Sequence, residues 1–166
     1  HTPAVTDRKV LGLLAQGSHV ALVSDAGTPG LSDPGLELVA KARAGGSAIE
    51  AIPGPSALAA AISIAGLRVP SFTFYAFLPQ KKGRESLFKE IAASERASVF
   101  YESPHRILKA LESLNKAAPT RRVGLYRELT KIYEEAIIGS PAEVLTLLQS
   151  DPQKQKGEFV VIIEAQ

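Results

Sequence analysis

The stretch VALVSDAGTPGLSDPG, residues 20–35, ends an apolar run in hydroxyls, carboxylates, prolines and bare backbone. Gly27 lets a ligand approach the main chain, Thr28 offers a hydroxyl and Asp25 a carboxylate. A second loop of the same kind, PGPSA at 53–57, follows the next apolar run, and Ser56 stands where a helix is expected to begin. Helix starts leave N–H groups free for electron-rich partners. Ligands of open α/β sheets bind beyond the carboxyl ends of the strands. Two such loops at neighbouring strand ends therefore predict a ligand site, whereas either one alone reads equally well as a turn with a helix cap.

Two charged clusters stand further on. VFYESPHR, residues 99–106, places Glu102 at a strand end, with His105 and Arg106 in the first turn of the next helix, which Ser103-Pro104 is expected to start. LYRELTK, residues 125–131, ends another strand with Arg127, Glu128, Thr130 and Lys131. Together they predict a charged cleft suited to a polar cofactor and an anionic substrate; the plainer reading of Glu102 and Ser103 is that they satisfy a helix start. Neither small-residue loop is a G-x-x-x-x-G-K-[ST] or G-x-G-x-x-G phosphate cradle, and there is no G-x-S-x-G nucleophile elbow. With no cysteine and three scattered histidines (His1, His19, His105), neither a thiolate nucleophile nor a metal centre is expected.

The elements that must position these residues alternate along the chain. DRKVLGLLAQG carries a helical stripe and stops at Gly17, and HVALVSD reads as a strand covered on both faces. Asp33 with Pro34 predicts a helix start, SAIEAI a second strand, and Ser56 the cap of an Ala-rich helix. VPSFTFYAFLP, ASVFYES, RRVGLYREL and GEFVVIIEA read as strands. Between them Leu87, Phe88 and Ile91 mark one helix, and Ile107, Leu108, Leu111 and Leu114 another. Ser140 through Glu143 forms a capping box with a proline at the first helical position. The texture changes after Gly66, which predicts two α/β lobes, residues 1–70 and 71–166.

At 166 residues and 45% apolar, the chain has the composition of a soluble globular protein, with no run long enough to span a membrane and no secretion signal, so a cytoplasmic setting is expected. The net charge of +2 is unremarkable, but its distribution is uneven. Lys81–Lys131 holds twelve Lys/Arg against six Asp/Glu, and residues 132–166 hold two against six. A localised positive surface is expected in the middle of the chain.

The segments VALVSDAGTPGLSDPG, IPGPSALAAAISIAGL, FYAFLPQKKGR, FYESPHRI, RELTKIYEE and KGEFVVIIE, in that order, resemble the ribosomal RNA cytidine 2′-O-methyltransferase branch of the tetrapyrrole (corrin/porphyrin) methylase superfamily. The resemblance implies a two-lobed α/β fold, S-adenosyl-L-methionine as cofactor, a homodimer, and small-subunit ribosomal RNA or the assembled small ribosomal subunit as substrate. It places cofactor contacts on Asp25, Ala26, Gly27, Thr28 and Leu31, on Ser56 and Ala57, and on Glu102 and Leu129. The family also opens with a strand and a Pro- and Gly-containing loop that do not occur here. The N-terminal lobe is therefore expected to be truncated and the piece weak as a catalyst alone.

Methyl transfer to a ribose hydroxyl needs the acceptor positioned in line and a base or polarising cation beside it. Glu102, Glu128 and Lys131 are the candidates, with His105 in reserve, and spacing does not rank them. Lys81, Lys82, Arg84, Arg106, Arg127 and Lys131 are the expected contacts to RNA phosphates. Two alternatives remain at this stage, a tetrapyrrole C-methyltransferase and a non-catalytic binding module.

Overall fold

The computed structural model describes residues 3–166, with the side chains of residues 3–5 left aside. The chain divides into two compact units, residues 1–56 and 57–166. The segment 57–70, whose texture groups it with the first lobe, thus belongs with the second unit. The reason lies in its contacts there. Ala61 and Ala65 are buried against Val99, Tyr126, Val160 and Ile162.

The first unit holds helices α1 (Pro3–Ala15) and α2 (Leu36–Ala44), tied by an ion pair from Lys41 Nζ to Asp7 Oδ2 at 2.6 Å. The start of α2 differs from expectation. Its cap is Gly35, which makes no side-chain capping bond, rather than Asp33 with Pro34. The apolar runs HVALVSD and SAIEAI are not strands either. Neither joins a ladder among the described residues, and Val23 and Ile52 are about 80% exposed. An apolar run becomes a strand only when a neighbour takes its N–H and C=O groups.

The second unit is a five-stranded sheet with helices on both faces. It comprises α3 (Ala57–Ser63), β1 (Phe72–Phe77), α4 (Arg84–Ala93), β2 (Ala97–Glu102), α5 (Ile107–Ala117), β3 (Val123–Arg127), β4 (Glu135–Gly139), α6 (Pro141–Ser150) and β5 (Phe159–Ile163). The strand order is β1-β2-β5-β3-β4. β1 and β2 run parallel, while β5 is antiparallel to both β2 and β3. Strands β1, β2 and β3 therefore point the same way, and their C-terminal ends share one edge of the sheet. One face is covered by α4, α5 and α6 through Phe88, Ile91, Ile107, Leu111, Leu114, Val144 and Leu148, all buried. The helical stripe of α5 packs as its spacing predicts, and α6 begins with the full Ser140–Glu143 capping box. Helix α5 instead starts at Ile107 without a side-chain cap, so Ser103-Pro104 is a turn ahead of it. Strand β4, EAIIG, carried no signal in the sequence; its pairing with β3 makes it a strand.

β1 is irregular where it nears the edge it shares with the ends of β2 and β3. Ala76 sits at φ +54°, and the pairing with β2 skips a residue between Phe74 and Phe77. The bulge leaves Phe77 half exposed, with its ring edge-on to Tyr101 at 5.7 Å. A left-handed alanine costs about 1–2 kcal/mol, partly offset in glycine by greater freedom of the unfolded chain. Ala76→Gly is expected to stabilise the protein by about 0.5–1 kcal/mol. The check is a higher urea midpoint at unchanged slope.

Candidate functional site

In the first unit the two small-residue loops are joined. The Thr28 hydroxyl donates to the Pro55 carbonyl at 2.9 Å, which brings the loop around Gly27 beside the one that ends in Ser56. Ser24 directs its hydroxyl at the carbonyls of Ala26 and Gly27, 3.2 and 3.1 Å away, and the Leu31 N–H closes a turn on the Thr28 carbonyl. Gly27 adopts φ +74°, a conformation that costs any other residue, and a Cβ there would meet nothing within 4 Å. Asp25, Ala26, Gly27 and Thr28 are exposed, and Leu31 and Ser56 half-buried. At Gly27 the backbone therefore borders open space, beside the hydroxyl of Thr28.

In the second unit, the shared edge of β1, β2 and β3 collects the charged candidates. Glu102 ends β2 with its side chain wholly buried. Its Oε1 accepts from Arg106 Nε at 2.8 Å and from the Ser103 N–H at 2.9 Å, and its Oε2 lies 3.5 Å from Arg84 Nη1. Glu102 is thus enclosed between two guanidinium groups, and Ala57, placed with it by resemblance, is an exposed residue at the start of α3. Lys81 and Lys82 are exposed on the turn between β1 and α4, and His105 is exposed as well. Arg127 pairs with Glu135 at 3.5 Å and reaches the carbonyls of Gln153 and Lys156.

The segment after β3 is fastened by a second network. Glu128 Oε1 accepts from the Glu158 N–H at 2.8 Å and from Lys131 Nζ at 2.9 Å, and Lys131 also pairs with Glu158 Oε2 at 2.9 Å. The backbone N–H of Glu158 and then Lys131 hold the Glu128 carboxyl below its usual range. The Glu128 carboxylate and then the Glu158 carboxylate raise Lys131, so it stays a cation. As arranged here, the Glu128 carboxylate is a weak base and Lys131 a fixed charge. Leu129 is half-buried against the cluster of Ala61, Val99 and Tyr126. Sequence reasoning missed Glu158 and Gly157, whose only trace is the KGEF run entering β5. Among the described residues no helix is long and apolar enough to cross a membrane, and no group of three or more His, Asp or Glu could hold a metal ion.

The family Tetrapyrrole (Corrin/Porphyrin) Methylases matches residues 6–145. The chain is 42% identical to a ribosomal RNA small subunit methyltransferase I of Xylella fastidiosa, over 99% of this chain and 61% of that one. It is 46% identical to one of Vibrio cholerae, over 90% and 53%, and 41% identical to one of Coprothermobacter proteolyticus, over 94% and 68%. The chain thus spans about half to two thirds of the length of these curated relatives. Among solved structures it resembles the methyltransferase CobJ, with a TM-score of 0.70 at 22% identity over 96% of this chain and 70% of that one. It also resembles a uroporphyrin-III C-methyl transferase from Thermus thermophilus complexed with S-adenosyl homocysteine, with a TM-score of 0.60 at 16% identity over 96% and 72%. These two likenesses speak to the fold. The chain belongs to the tetrapyrrole (corrin/porphyrin) methylases, among relatives named ribosomal RNA small subunit methyltransferase I.

Proposed function

We propose that the protein bearing this sequence uses S-adenosyl-L-methionine to methylate the 2′-hydroxyl of a cytidine in small-subunit ribosomal RNA, as a cytoplasmic homodimer. The observation that carries this reading is 41–46% identity, over nine tenths of the chain or more, to relatives named for that RNA. The first unit fits the cofactor. Gly27 opens onto free space, and Ala26, Thr28, Leu31 and Ser56 surround it with backbone and hydroxyls. When bound, the cofactor supplies an electrophilic methyl group on a sulfonium.

The second unit's part is to hold the acceptor. Lys81, Lys82 and Arg127 take backbone phosphates and set the register of the strand. Lys131, kept charged by Glu128 and Glu158, provides the polarising cation for the ribose hydroxyl, and in-line positioning supplies most of the rate.

Methyl incorporation from labelled cofactor into small ribosomal subunits, measured beside incorporation into uroporphyrinogen, tests the reading. Label is expected in the ribosomal RNA alone. Label only in the tetrapyrrole overturns the RNA assignment, and failure to bind S-adenosylhomocysteine in calorimetry overturns the enzymatic one.

A further inference from the structure

Glu102 ends its strand fully enclosed. Two guanidinium groups flank it, and each also binds a main-chain carbonyl at the entrance to the 79–83 turn. Arg106 Nη1 donates to Leu78 O at 3.3 Å, and Arg84 Nη1 donates to Pro79 O at 3.1 Å. The far side of the turn is closed by the Arg84 N–H on Lys81 O at 3.3 Å and by left-handed Gly83 at φ +85°. Lys81 and Lys82, at its tip, are exposed and join no ion pair among the described residues.

From this juxtaposition we propose that Glu102 is a positioning residue: by clasping Arg84 and Arg106 it fixes the 79–83 turn, so that Lys81 and Lys82 meet the RNA backbone as a preformed cationic pair. The inference rests on the RNA reading above and assigns Glu102 a role there. The charge balance agrees. Two guanidiniums share one carboxylate, which leaves the clasp one positive charge in excess behind the two lysines; nearby Glu85, exposed on the first turn of α4, is the one acidic group on the turn's own flank. Arg84 lies over the Phe88 ring at 5.3 Å, and its buried Nε and Nη2, like the Oε2 of Glu102 that faces it, lack hydrogen-bond partners. Beyond its bond to the Pro79 carbonyl it is held by packing and by the charge of the carboxylate, so loss of that charge should loosen it. A preformed turn matters because a long lysine ordered only on contact loses part of its binding energy to that ordering.

The test compares Glu102→Gln, Lys81→Ala/Lys82→Ala and the triple variant of this chain, using a small-subunit ribosomal RNA fragment. Glu102→Gln is expected to weaken RNA binding about tenfold and to lower the salt slope by about one to two ions. The triple variant should bind no more weakly than the lysine double variant, because the carboxylate acts through the lysines. Additive losses overturn the proposal, as does wild-type RNA affinity in Glu102→Gln. Amide exchange at residues 80–83 reads the clasp without RNA: about tenfold faster exchange in Glu102→Gln is expected, and unchanged exchange overturns it. Should that variant fail to fold, Arg84→Ala serves in the same measurements, since it removes the Nη1 contacts to the Pro79 carbonyl and the Glu102 carboxylate together. A wild-type chain that binds no RNA while exchange still responds removes the RNA reading and leaves the clasp standing.

Discussion

Gly124→Ala is expected to destabilise the protein by about 3 kcal/mol, at the upper end for overpacking a closed core. A Cβ at this position would lie 2.4 Å from the Tyr126 hydroxyl and 2.7–2.8 Å from its ring. The two residues are two apart on one strand and face the same side, so the tyrosine ring folds back over the bare glycine. Neither partner can retreat. β3 is hydrogen-bonded on both sides, to β5 and β4, and Tyr126 is fully buried with its hydroxyl donating to the Ala65 carbonyl behind α3. Burial pushes the tyrosine up to about 12, so it remains a neutral donor across the whole physiological range. Tyr126→Phe removes one buried bond and is expected to cost about 1 kcal/mol. In Tyr126→Ala the added cost of Gly124→Ala should nearly vanish, because the ring it strikes is gone. Urea unfolding of the four proteins closes the cycle; a Gly124→Ala protein within about 0.5 kcal/mol of wild type, the usual scatter of neutral changes, would show that the ring has somewhere to go.

Gly124 also marks the limit of what the sequence makes legible. The run RRVGLYREL announces a strand by its apolar residues, and nothing in it says that a glycine makes room for a ring two positions on. The periodic elements are legible for a physical reason. α5 repeats its apolar residues at the helical spacing, α6 carries its own capping box, and β5 is apolar throughout because both its faces are covered. β4 is not legible, since five residues at the sheet edge with one buried side chain leave no pattern. The runs at 19–24 and 48–52 mislead in the opposite direction. Their composition is that of strands, but a strand is a property of a pair.

The candidate site divides in the same way. Small residues and hydroxyls announce the loops at 24–31 and 53–56, because few other demands on a chain concentrate Gly, Ser, Thr and Pro after an apolar run. The hydrogen bond from Thr28 to Pro55 spans 27 residues and is visible only in three dimensions. Charged residues are legible as charges and illegible as partners. Glu102, Glu128 and Lys131 read as free groups in sequence, whereas Arg84, Arg106 and Glu158 engage them in the folded chain. Arg106 lies only four residues beyond Glu102, but Arg84 and Glu158 come from distant turns that no local spacing encodes.

Gly157→Ala carries the second large effect, and it falls on the Lys131 network. Gly157 sits at φ +96°, and a Cβ there would lie 2.5–2.7 Å from the Glu128 side chain, including Oε1. That oxygen receives both the Glu158 N–H and Lys131 Nζ. The substitution therefore adds backbone strain and expels the carboxylate that fastens the segment, which itself holds Glu128 and Thr130 at φ +49° and +65°. A loss of about 2–3 kcal/mol is expected, roughly 1–2 from the left-handed backbone and the rest from the displaced ion pair. Acid should reproduce the second part alone. Because the folded Glu128 carboxyl lies below its ordinary value of 4.5, its contribution is complete above that pH and is lost as the pH falls through the lower, folded value. Wild type and Glu128→Gln should therefore converge in stability on acidification below about 4.5, whereas the backbone part of the Gly157→Ala deficit should persist there. In methyl transfer, the freed Lys131 should cost turnover at saturating RNA more than RNA affinity, since its charge is assigned to the reacting hydroxyl and that of Lys81 and Lys82 to the strand. Equal losses in both would return Lys131 to the phosphate-binding set.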